Sequence, residues 1–96
     1  MIPIVWTDLA LDDFSENIYY LEKKWTEKEI EKFIKKSHEI LDKLSKGNIK
    51  FKPTAYKNVF QIVIVKQITL FYKIEDTTIL LLRFWNNYKN PTNFKL

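Results

Sequence analysis

The chain has 96 residues, a mass of 11.6 kDa and a formal net charge of +4. Seven Phe, five Tyr and three Trp within 46% hydrophobic residues supply bulk for one real core, and the length argues for a single domain over 1–96. One Gly and no Cys exclude a Gly-rich phosphate loop, a disulfide framework and thiolate metal sites.

In chain order, Ile2 to Trp6 is a short apolar run with Pro3 near its start, the pattern of an edge strand. Thr7 can cap a helix over about 8–24, whose apolar stripe is Ala10, Phe14, Ile18, Leu21 and Trp25. Asp12, Asp13, Glu16, Glu22 and Lys23 fall between stripe positions and read as its solvent face. Thr26-Glu27-Lys28-Glu29 reads as a capping box opening a second helix over about 27–46. Ile30, Phe33, Ile34, Ser37, Leu41 and Leu44 form its stripe, widened by Ile40, and Gly47 is the expected C-cap. The two helices should form an antiparallel hairpin.

After Gly47 the period changes. Asn48 to Ala55, with Pro53, is a basic connection, and strands follow over about 57–65, 68–74 and 78–85. Lys66-Gln67 and Glu75-Asp76-Thr77 are the turns of an antiparallel meander, and 86–96 is a polar tail. The predicted fold class is therefore α+β in the order β-α-α-β-β-β, a two-helix hairpin packed on one face of a small antiparallel sheet. In the last strand, strict alternation places Ile79, Leu81, Arg83 and Trp85 on one face and Thr78, Leu80, Leu82 and Phe84 on the other. A lone Arg among apolar neighbours requires an open face or a paired charge. In the strand before it, Thr69, Phe71 and Lys73 lie opposite Leu70, Tyr72 and Ile74.

Charge is unevenly distributed. Residues 1–47 carry eight Lys against ten carboxylates, a balance of −2, whereas 48–96 carry seven Lys and Arg83 against Glu75 and Asp76, a balance of +6. A basic half points to an anionic partner, nucleic acid or an acidic protein segment, with plain solubility as the alternative. The single His, His38, lacks partners for a zinc site and reads as a helix-flank residue; no metal and no cofactor is expected. Asp12-Asp13 and Glu29-Glu31 read as helix-surface charges. No apolar run approaches the roughly 20 residues that span a bilayer, and Met1 to Asp8 lacks the marks of a signal peptide. The expectation is a soluble cytoplasmic protein with no membrane partner.

Three stretches together resemble the RelE/ParE superfamily of toxins from type II toxin–antitoxin modules, in particular its ParE-like, plasmid-stabilization branch. The first is the apolar run ending in Trp6-Thr7, followed by Ala10, Phe14, Ile18 and Leu21. The second is Ile68-Thr69-Leu70-Phe71-Tyr72-Lys73-Ile74. The third is Ile79-Leu80-Leu81-Leu82-Arg83-Phe84-Trp85-Asn86-Asn87, followed by the Asn90-Pro91 pair. The resemblance implies a bacterial growth-inhibiting toxin neutralised by a cognate antitoxin, as a homodimer or a toxin–antitoxin hetero-oligomer. ParE-like members poison DNA gyrase by binding, and RelE-like members cleave mRNA on the ribosome without a metal. An inactive antitoxin-binding relative is a third reading. The chain departs from the family where the usual arginine after the strand is replaced by Tyr88, with Lys89 next, and Arg83 is the sole arginine.

Metal-independent RNA cleavage needs a base for the 2′-hydroxyl, an acid for the leaving oxygen and cations for the phosphorane. The catalytic candidates are Arg83, Tyr88 and Lys89. The candidates for nucleic-acid or target binding are Lys52, Lys57, Lys73, Arg83, Trp85, Tyr88 and Lys89. Trp85 and Tyr88 can stack on bases, and packing explains them about as well.

Overall fold

The computed structural model describes residues 1–48, 52–89 and 94–96. Among these residues seven elements follow in order: β1 (Ile4–Trp6), α1 (Asp8–Lys24), α2 (Glu27–Lys46), β2 (Lys52–Pro53), β3 (Val59–Val65), β4 (Ile68–Glu75) and β5 (Thr78–Asn86). The strands form one sheet in the order β1-β5-β4-β3-β2, antiparallel except where β1 runs parallel to β5. The expected α+β architecture of two helices on a mostly antiparallel sheet is present, with β2 as a two-residue addition at the edge beyond β3.

Local chemistry sets the helix ends. Thr7 Oγ1 accepts from the Ala10 amide at 3.2 Å and opens α1. Thr26 and Glu29 form the reciprocal capping box of α2. Gly47 closes α2 at φ 75°, where a residue without Cβ is unstrained. Only Trp25 and Thr26 separate the helices; α1 packs on β5 and α2 on β3.

The core lies between the helices and one sheet face. Phe33, Leu21, Leu44, Leu70, Tyr72, Leu81 and Phe84 are essentially sealed from water. Trp6, Phe14, Phe33 and Phe84 form a ring cluster with centroids 5.0–6.4 Å apart. Trp6 thereby ties the short first strand to both a helix and the sheet.

Strict alternation in the last strand does not hold. Tyr72 pairs with Leu81 and Phe71 with Arg83, so Leu82 is an extra residue on β5, a β-bulge. The bulge resets the period: Ile79 and Leu81 face the core before it, and Phe84 faces the core after it. Arg83 and Trp85 therefore do not share a face with Ile79 and Leu81. The cause is a change of neighbour. β1 accompanies β5 only from Ile79 to Leu81; then Thr7 bonds back through its amide and hydroxyl to the Leu81 carbonyl, and the chain turns into α1.

Candidate functional site

Beyond β1, side chains of α1 take over the edge of β5. Asp13 Oδ2 accepts from the Phe84 amide at 3.1 Å, and Asn17 Nδ2 donates to the Phe84 carbonyl at 2.8 Å. Two residues one helical turn apart thus satisfy both backbone groups of one strand residue, as a neighbouring strand would. The same carboxylate holds Arg83 in a bidentate pair, Nε to Oδ2 at 2.6 Å and Nη2 to Oδ1 at 3.0 Å. Arg83 Nη1 donates to the Lys95 carbonyl at 2.7 Å, so every guanidinium nitrogen has a partner. The side chains of Arg83 and Asp13 are 12% and 7% exposed. The hydrogen bond to Asp13 holds the guanidinium above its ordinary pKa, outweighing the opposing effect of burial. Asp13 is therefore not a solvent-face residue, which corrects the reading of Asp12-Asp13 as surface charges.

The end of β5 is built by two asparagines. The Asn87 amide donates to the Gln67 carbonyl at 2.7 Å, its Nδ2 donates to the Lys66 carbonyl at 3.0 Å, and its Oδ1 accepts from Thr69 Oγ1. These bonds fasten the strand end to the β3–β4 turn. Asn86 Oδ1 accepts from the Tyr88 amide at 2.9 Å, a local turn that asparagine favours.

The sequence candidates divide into two groups. Arg83, Trp85, Tyr88 and Lys89 come together at the end of β5: Arg83 lies 5.3 Å and Lys89 Nζ 5.7 Å from the Trp85 ring, and Lys89 Nζ is 3.6 Å from Glu16. Tyr88 is exposed beside them. Phe94 packs on both Phe71 and Trp85 at 4.7 and 4.9 Å, so it covers the β4–β5 part of the sheet face opposite the helices, while Val63 on β3 stays exposed. Lys73, on the middle strand of that face, lies 3.9 Å from Glu75. Lys52 and Lys57 sit at the opposite edge of the sheet, exposed on β2 and its turn, and do not join the cluster. The Asn90-Pro91 pair lies outside the described residues.

Sequence reading missed Asp13, Asn17 and Asn86. The signal existed for the first two: positions 10, 13, 14, 17, 18 and 21 follow the full helical stripe, and Asp13 and Asn17 are its two polar members. Among the described residues no three His, Asp or Glu converge as a metal site, and no helix is long and apolar enough to cross a membrane.

Comparison with curated protein sequences gives no match. Solved structures share the fold. The chromosomal ParDE toxin–antitoxin system from P. aeruginosa matches with a TM-score of 0.73 at 15% identity, covering 90% of this chain and 96% of that one. The YoeB dimer from Staphylococcus aureus matches at 0.62 and 17%, covering 91% and 98%. The E. coli DinJ–YafQ complex matches at 0.62 and 12%, covering 90% and 93%. A family sequence model, described as the ParE toxin of the type II toxin–antitoxin system parDE, matches residues 4–90. With that match running from β1 through the end of β5 and onto Lys89, this chain belongs to the ParE toxin family of type II toxin–antitoxin systems.

Proposed function

We propose that this chain is a ParE-like bacterial toxin that acts in the cytoplasm by binding a target such as DNA gyrase, and that a cognate antitoxin neutralises it. The observation that carries this reading is the state of Arg83. It is the only arginine in the sequence, and all its nitrogens are engaged by Asp13 and the Lys95 carbonyl. An endonuclease of this size needs a cation free to meet a phosphorane, and a guanidinium locked to a buried carboxylate is a poor one. Lys89 faces Glu16, which weakens it for the same role. Tyr88 and Lys89 then serve as contact residues just past the end of β5, beside Trp85, which is only 8% exposed and supports them from below, with Lys73, Lys52 and Lys57 lending basic charge that draws in an acidic partner. The antitoxin assignment is supported by solved neighbours that are themselves toxin–antitoxin complexes, among them DinJ–YafQ.

The test is induction of the chain in a bacterial host with separate pulse labelling of DNA and protein synthesis. DNA synthesis falling first, with translation spared, is the expected result. Translation falling first would replace this reading with an mRNA endonuclease, and absence of arrest in a host carrying the target would leave an antitoxin-binding module.

A further inference from the structure

A cleft of about 320 Å³ opens between the outer side of α1 and the end of β5. That is the small end of the range for ligand pockets, room for one flat ring system. Tyr19, Tyr20 and Tyr88 line it, with Tyr19 and Tyr88 60% and 63% exposed. Its deep residues are Asn17 and Asn86, each only 4% exposed.

Those two carboxamides are half used. Asn17 Nδ2 is committed to the Phe84 carbonyl, which leaves Oδ1 as an acceptor without a hydrogen-bond partner among the described residues. Asn86 Oδ1 is committed to the Tyr88 amide, which leaves Nδ2 as a donor in the same condition. The committed atoms fix the orientation of both amides. Neither atom belongs with the fully sealed, unpartnered side-chain atoms such as Ser37 Oγ, and both residues line the cleft. Buried polar groups are normally satisfied, and the cleft thus presents one acceptor and one donor that lack protein partners. Glu16 and Lys89 form an ion pair at the rim.

We propose that this cleft binds a nucleobase. The donor and acceptor pair with an edge carrying an adjacent acceptor and donor, which all four bases possess, and the phenol rings supply stacking surface that tolerates any base. Lys89 can leave exposed Glu16 for the phosphate of a nucleotide. The site binds without chemistry and stands independently of the toxin's target.

The experiment titrates the full-length, isotope-labelled chain with each nucleoside 5′-monophosphate, the matching nucleosides and short single-stranded oligonucleotides, following the side-chain amides of Asn17 and Asn86 and the Tyr88 backbone amide by NMR. Saturable shifts at these groups are expected. Equal affinity for monophosphates and oligonucleotides identifies a free nucleotide as the ligand, whereas binding by oligonucleotides alone identifies a base on a strand. Tyr88→Ala, at an exposed position, is expected to weaken binding about 5- to 150-fold. Asn86→Asp keeps the acceptor for the Tyr88 amide and turns the free donor into an acceptor. It is expected to lower affinity for adenine, cytosine and uracil about tenfold while favouring guanine, which offers two adjacent donors. No shift with any nucleotide, oligonucleotide shifts confined to Lys52, Lys57 and Lys73, or base preference unchanged by Asn86→Asp would each overturn the proposal.

Discussion

Replacing Asp13 by Ala tests whether one helical carboxylate holds both a charge and a strand edge. The substitution strands Arg83, whose side chain is 12% exposed, and removes the acceptor of the Phe84 amide in a residue that is 1% exposed. Breaking a buried pair from one side costs about 3–5 kcal/mol, and orphaning a buried amide about 1–3 kcal/mol. The two losses share one carboxylate and do not add, and Arg83 keeps the Lys95 carbonyl on a solvent-facing nitrogen. The expected destabilisation is therefore about 3 kcal/mol. With a urea m-value of about 1–1.5 kcal/mol/M, the midpoint drops by about 2–3 M. Urea unfolding followed by fluorescence of Trp6, Trp25 and Trp85 reads it. Asp12→Ala, at the exposed neighbouring position, is the control and is expected within about 0.5 kcal/mol of the parent. Asp13→Asn preserves an acceptor for Phe84 and is expected to fall between them, which guards against loss of the fold in the alanine variant. Equal midpoints for Asp12→Ala and Asp13→Ala would refute the reasoning.

Three further outcomes follow from the same structure. Asn17→Ala removes the donor to the Phe84 carbonyl and is expected to cost about 1–3 kcal/mol in the same urea assay, with a smaller loss for Asn17→Gln if the longer amide still reaches. Burial pushes the Tyr72 phenol from 10 up to about 12. Stability is then unaffected below pH 10 and falls as pH rises toward 12, because the unfolded chain ionises there first; Tyr72→Phe is expected to flatten that fall in alkaline urea melts. Phe94→Ala uncovers Trp85 and Phe71 and is expected to red-shift tryptophan emission at a stability cost of about 1–2 kcal/mol, whereas emission unchanged from the parent would deny that the terminus covers this face.

Legibility in the sequence followed the range of the interaction. Thr7, the Thr26/Glu29 box and Gly47 act within four residues of the backbone they cap, so residue type and spacing sufficed. The helical stripes were visible for the same reason. The Leu82 bulge was not, because it answers to where β1 stops, some 75 residues earlier in the chain and set by Trp6 and Thr7. β2 escaped notice because its two residues include Pro53 and owe their strand geometry to pairing with Phe60 and Gln61. Asp13 was misread and Asn17 passed over because helical periodicity sorts polar from apolar and has no category for a polar residue that replaces a strand. A lone Arg83 demanded a partner, and the unmatched polar members of the α1 stripe were where to look.

The edge of β5 also constrains how the molecule meets other chains. A strand added beside Phe84 would need its amide and carbonyl, and both are already bonded to α1. At the other side of the sheet, β2 ends in Pro53 and carries exposed Lys52, two features that discourage pairing. Recruiting Arg83 to a phosphate would be costlier still. It would release a carboxylate that is 7% exposed from its one cation among the described residues, at about 3–5 kcal/mol, a factor of a hundred or more in affinity that the new contact would have to offset before any net gain. Lys89 and Tyr88 carry no such obligation: the Lys89–Glu16 pair is exposed and worth about 1 kcal/mol or less, and Tyr88 stands in solvent. Energetically accessible recognition therefore concentrates just past the end of β5, and Arg83 serves it from behind by holding the strand end and the terminus in place.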